Sequence, residues 1–368
     1  MPFPLSYCPD GPAVLERLRR FYEGRAQDII LASMQLPSPA LAEFAESHAI
    51  GFCEYPDPRE RAAFWDAFCR ERAAVHDDSV PSGYLTEMDQ GLYGGAVGGK
   101  ARFLCDTETG WISSMVEPIL KDWSEFDQLA ALEVDQASNP WLRRYLVQLD
   151  AFRAAAHGKW GVSHFILIDG LNFAFELVGA TETYMATIDR PAVVRRVIDF
   201  AFKVNCLIQD LFFERVPLME GGTCSNFAQW VPGRIVSESL DPFHMTSVGY
   251  FEEWGREPAE RILAHFDGGV IHIHGNGRHL LKAAATLKGL KALLLADDRG
   301  FPLAFDILPA VRRQVGDMPL IVYDVDFERF RRALEEHRLT GGVLYTVKHV
   351  PDADTANRWM DRVRAYRP

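Results

Sequence analysis

The chain reads as an α/β protein: a (β/α)8 TIM barrel whose residues 1–80 form a mostly helical N-terminal extension, organised as one domain over 1–368. Three observations predict this. From residue 140 onward, short apolar runs alternate with helical stretches, the pattern of parallel strands buried on both faces. With residues 28–34, seven such runs can be counted, and an eighth would complete a barrel. Hydrophobic residues make up 48% of the 368, ample for a large core.

Taken in order, residues 12–25 show helical spacing and 28–34 form a short buried strand. A charged amphipathic helix follows over 57–76. The glycine-rich stretch 91–99 has no Gly-Lys-Ser/Thr after it, so it is no phosphate loop; it predicts a tight loop or close helix packing. Residues 101–113 predict a β-hairpin turning at 106–110. The helix–strand rhythm then runs helix 141–156, strand 162–169, helix 191–214, strand 216–222, helix 249–266, strand 269–274, helix 279–288, strand 290–298, helix 304–315, strand 319–324. A helix opened by Asp326, a strand over 341–347 and a last helix capped by Asp354 close the series.

The formal net charge is −12, from 39 Lys and Arg against 51 Asp and Glu. That balance argues against nucleic acid or an anionic membrane as partner. Six cysteines are scattered with no CxxC pair, so no disulfide framework is expected. The first residues carry no basic segment followed by an apolar one, and no apolar run approaches the ~20 residues of a membrane helix. The expectation is a soluble protein of the reducing cytoplasm.

Parallel α/β folds place their sites at the carboxyl ends of the strands. Those ends carry Asp169, Glu220, His272 with His274, Asp297 with Asp298, Tyr323 with Asp324, and His349. His272 and His274 are the sharpest pair. On a strand, residues two apart share a face, so both imidazoles can address one ion, zinc or another borderline metal. For a third ligand, His349 competes with Glu220 and Cys224. The stretch Gly275 to His279 opens a helix, where Arg278 and Asn276 can hold a substrate carboxylate or phosphate. The long connection after residue 229 reads as a lid or substrate wall and contributes Trp230 and Asp241. The expected catalytic groups are Asp169, Asp241 and Tyr323; Trp230, Asn276, Arg278 and Glu220 are expected to bind substrate.

The run Ile271-His272-Ile-His274-Gly275-Asn276 resembles the His-x-Cys-Gly-Asn/Asp segment of the uroporphyrinogen decarboxylase superfamily. That superfamily includes zinc-dependent methyltransferases that move methyl groups between methylcobamide and thiols such as coenzyme M. Val80-Pro-Ser, the 91–99 glycines and Phe103-x-x-Asp106-Thr are similar to its N-terminal section. Gly179 to Pro191 and Val350-Pro-Asp-Ala-Asp-Thr-Ala-Asn357 are similar to two later signatures, in the family order. The resemblance covers the chain from about residue 60 and implies a TIM barrel.

It also implies a zinc site at His272 and His274, with His349 near the position of the family's second cysteine. It further implies a corrinoid, methylcobalamin, carried on a partner protein. His274 stands where the family has its first cysteine, and an all-histidine site is sound zinc chemistry. The family's decarboxylases carry an Arg-Gln-Ala-Gly-Arg segment for substrate carboxylates. Residues 33–38 hold no arginine there, so methyl transfer is the expected reaction. A decarboxylase or lyase acting through Asp169 or Asp241, and a non-catalytic corrinoid or porphyrin binder, are the alternatives.

Overall fold

The computed structural model describes residues 3–132, 134–135 and 137–368. Its strands are β1 (Leu31–Met34), β2 (Gly51–Cys53), β3 (Ser82–Tyr84), β4 (Ala101–Asp106), β5 (Trp111–Val116), β6 (Gly161–Ser163), β7 (Gly222–Ser225), β8 (Gln229–Pro232), β9 (Val236–Ser239), β10 (Gly269–Ile273), β11 (Leu290–Leu295), β12 (Leu320–Asp326) and β13 (Val343–Lys348). Six of them form one parallel sheet in the order β1-β13-β12-β11-β10-β9. A separate parallel pair joins β3 to β6. Among the described residues the named strand pairs do not complete a ring; what they show is an α/β architecture with a parallel sheet of six. Among the described residues the antiparallel strand pairs are β2-β4-β5, where the predicted hairpin forms, and β7-β8.

Strand periodicity divides the core in two. Leu31, Val270, Leu294, Ile321 and Leu344 point to one side and pack together. Their neighbours Ala32, Ile271, Leu295, Val322 and Tyr345 point to the other, under the helices. The longest of these helices, Pro191–Arg215, starts with proline at its first position and buries Val194, Val197, Ile198, Ala201 and Val204 at helical spacing. Of the N-terminal helices, Gly11–Tyr22 packs on β8, Pro58–Glu71 packs on β3, and Pro39–Ser47 packs on Pro58–Glu71.

Several boundaries differ from the expectation. Residues 216–221 are not a strand, and β7 begins only at Gly222: Glu220 and Gly221 are left-handed (φ 49° and 78°), which breaks the extended run. The sheet strand is β9 instead, inside the connection read as a lid. Strand β3 was not expected at all. Within 91–99, residues up to Ala96 belong to the helix Gln90–Ala96. A Cβ on Gly94 would lie 2.4 Å from Val116 and one on Gly95 2.8 Å from Trp141, so close helix packing is the reason for the glycines. The last helix, Ala353–Ala365, is capped by Asp352, whose side chain accepts from Thr355 N, and not by Asp354. No helix of the described residues is long and apolar enough to cross a membrane.

Candidate metal centre

Strands β9 and β10 are parallel neighbours with His272 opposite Ser239. Continuing that register sets His274 level with Asp241, just past the two strand ends. Asp241 is fixed there by a short turn over Asp241–Phe243: its N–H donates to Ser239 Oγ (3.2 Å), and Tyr184 holds the next carbonyl, Pro242 O, at 2.5 Å. The result is a convergence of three donors. One ligand atom each from Asp241, His272 and His274 lies within 4.8 Å of the others. Asp241 Oδ1 is 3.3 Å from His272 Nε2 and 3.9 Å from His274 Nε2.

Two features give this cluster direction. First, His274 Nδ1 is 3.0 Å from Asp298 Oδ1. A carboxylate only accepts, so Nδ1 carries the proton and Nε2 turns its lone pair toward Asp241. Asp298 is itself held by Asn276 N–H (3.3 Å). Second, a further imidazole, His244, puts Nδ1 3.4 Å from the same Asp241 Oδ1. That oxygen is sealed from water, yet no ring N–H is aligned to donate to it. Burial alone pushes the Asp241 carboxyl up. The contact and charge of His272, then the charges of His244 and His274, outweigh it and hold the group well below the usual carboxylate range. Burial pushes the His244 ring down to about 4. Its snug seat depends on Gly277, where a Cβ would lie 2.1 Å from His244 Cδ2.

Around one four-coordinate zinc, neighbouring ligand atoms stand about 3.3 Å apart. Asp241 and His272 match that edge, and Asp241 and His274 come within a small rotation of it. The orphaned Asp241 oxygen and the oriented His274 lone pair therefore fit a divalent cation. The donor set is two imidazoles and a carboxylate, which suits zinc or a first-row metal such as iron(II) and leaves coordination positions open.

The other expected residues fall elsewhere. His349 is exposed, pairs with Asp326 at 3.2 Å, and follows β13. That strand is three places from β10, or about 15 Å. Asp169 is buried behind the sheet: with Glu238 it lines a small void under the helix Arg256–His265. Burial pushes its carboxyl up to about 7 and raises that of Glu238 well above the usual range. Trp230 is fully buried, its indole N–H donating to Met219 O (2.7 Å), so it is core and no lid. Glu220 is exposed on the turn into β7. There Gly221 O accepts from Gly233 N, against Asp267 ahead of β10, which is the amino end of that strand.

Arg278 is spent on structure: it pairs with Asp297 (2.5 Å) and donates to the Ala296 and Pro302 carbonyls. Asn276 sits beside the cluster with a buried, unpartnered Oδ1. Tyr323 is at the strand ends, its hydroxyl donating to Asn226 O at 3.4 Å. Asp298 was expected only as a strand-end carboxylate, without a role, and His244 and Asp89 were given none. Burial pushes the Asp89 carboxyl up to about 7, against the Tyr84 hydroxyl at 3.3 Å and the nearby His272.

No protein-family model matches the chain, and no curated protein matches it. Among solved structures, a methyltransferase from Methanosarcina mazei superposes with a TM-score of 0.62 at 13% sequence identity, over 96% of this chain and 98% of that one. The likeness is one of fold.

Proposed function

We propose that the protein is a metal-dependent methyltransferase, with zinc held by Asp241, His272 and His274 and the methyl group exchanged with a corrinoid carried on a partner protein. The convergence of those three donors at adjacent strand ends carries the reading, and the likeness of fold to a methyltransferase supports it. When bound, the ion would supply Lewis acidity, lowering the pKa of the methyl acceptor. The protein's own share is positional. Asp298 fixes the His274 tautomer, Asp241 contributes the negative charge, and His244 packs behind it.

The same reading includes a closed barrel of eight parallel strands. A parallel bridge between Ile166 and Ser237 links the β6 side to β9. On the other edge, Asp78 N–H donates to Ala32 O (2.9 Å), tying the segment before β3 to β1.

Metal analysis of the purified protein tests the site: about one zinc per chain is expected, lost in Asp241→Ala and His272→Ala and kept in His349→Ala. A metal content unchanged in the first two variants would sink it. Loss of methylcobalamin absorbance with a thiol acceptor tests the reaction; carbon dioxide release from candidate acids in its place would favour the decarboxylase. That alternative is the weaker, because Asp169 lines a separate small void that none of the three donors lines.

A further inference from the structure

A cavity of about 370 Å³ lies at the carboxyl end of the sheet, between the strand ends and the N-terminal helices. Tyr323, in its wall, is level with His274 two strands away, about 10 Å along the sheet, since Ala296 N–H donates to Ile273 O and Leu295 pairs with Val322. No residue of the metal cluster lines it. Three features indicate that it is built for a ligand.

Thr346 lines it with a hydroxyl that is buried (2% exposed) and has no partner, an arrangement that costs free energy until something bonds to it. Gln229 and Asp324, also in the wall, are non-glycine residues in left-handed backbone (φ 65° and 59°), a strain characteristic of ligand sites. Trp65, Phe68, Trp111 and Tyr323 supply aromatic surface.

The charges of the wall decide the class of ligand. Arg72, the cavity's guanidinium, is occupied by Asp77 (2.7 Å), Ser79 Oγ (3.0 Å) and Met34 O (2.8 Å). The Glu71 oxygens accept from Ser38 Oγ and Ala40 N–H, and Asp324 faces Lys348 at 3.4 Å. Glu108 adds another negative charge. No cation is left to neutralise an anionic ligand, whereas the hydroxyls and amides of Ser33, Thr346, Asn226 and Gln229 suit neutral oxygen groups.

We infer that this cavity binds an uncharged aromatic molecule bearing hydroxyl or ether oxygen, gripped by Thr346 and the tryptophan walls. The site goes beyond the proposed metal chemistry, because binding needs no metal. The test is calorimetric titration of the metal-stripped full chain with 2-naphthalenemethanol and with 2-naphthoate, a matched neutral and anionic pair. The alcohol should bind saturably and the carboxylate about tenfold more weakly. Thr346→Val, which removes an unpartnered hydroxyl and so should not harm folding, should weaken the alcohol about fivefold. Absence of saturable binding up to the solubility limit, equal or tighter binding of 2-naphthoate, or an unchanged affinity in Thr346→Val would overturn it. Zinc content is read separately, so either reading can fail alone.

Discussion

Removing Asp298 asks whether the histidine pair is a metal site or only a polar patch. Asp298 touches no proposed open position; it acts through His274, whose Nδ1–H it receives at 3.0 Å while Asn276 N–H holds its other oxygen. In Asp298→Ala the ring loses that anchor, and the tautomer that turns Nε2 toward Asp241 is no longer enforced. Losing such an outer partner costs 10–100-fold in metal affinity, about 1.4–2.7 kcal/mol. Asp298→Asn keeps an acceptor oxygen and loses only the charge, so a smaller loss is expected, roughly threefold. Zinc competition against a chromophoric chelator reads both. Native affinity in Asp298→Ala would refute the orientation argument, and a comparable loss in His349→Ala would refute the ligand set.

Three further outcomes follow from the same geometry. Gly277→Ala places a Cβ 2.1 Å from the His244 ring, which must move by more than an ångström; zinc affinity should fall at least several-fold, and an unchanged affinity would show that His244 does not support the site. Burial raises the Asp169 carboxyl above the ordinary value it has in the unfolded chain, so native stability falls as pH rises through the range above that value. Asp169→Asn should lessen that loss, leaving the part due to the neighbouring Glu238, and melt above the native protein at pH 8 with little gain at pH 4; equal melting at both would exclude the buried-carboxyl account. His164 is the opposite case: burial lowers its ring from 6.5 to about 4, so its contribution is complete above 6.5 and lost as pH falls toward 4, about 3 kcal/mol in all. His164→Gln, able to keep the bond to Ser237 Oγ (2.9 Å), should flatten the acid limb of the melting profile; an unchanged slope would refute the assignment.

How much of this was legible depended on how each donor is carried. His272 and His274 share a strand with the apolar run Val270-Ile271, and a period of two is visible in any sequence. Asp241 was noticed only as a loop residue, because β9 reads Val-Ser-Glu-Ser and has one apolar side chain with which to declare a strand. Without β9 there was no reason to set Asp241 level with His274. The residues 216–222 looked apolar enough to be counted as a strand, and the left-handed Glu220 and Gly221 interrupt it. His349 stands apart from the cluster: it is exposed, pairs with Asp326 and follows a strand three places away in the sheet. Asp298 and His244 carry no spacing signal, since they reach the cluster from separate loops. Local pattern thus exposes ligands that share one strand, whereas a ligand from a neighbouring strand is exposed only as well as the strand that lifts it into place. The chemical reading moves accordingly: in the proposed site the third donor is an aspartate, and an ion held there would be a harder Lewis acid than one in the thiolate-rich sites of the family the sequence resembles.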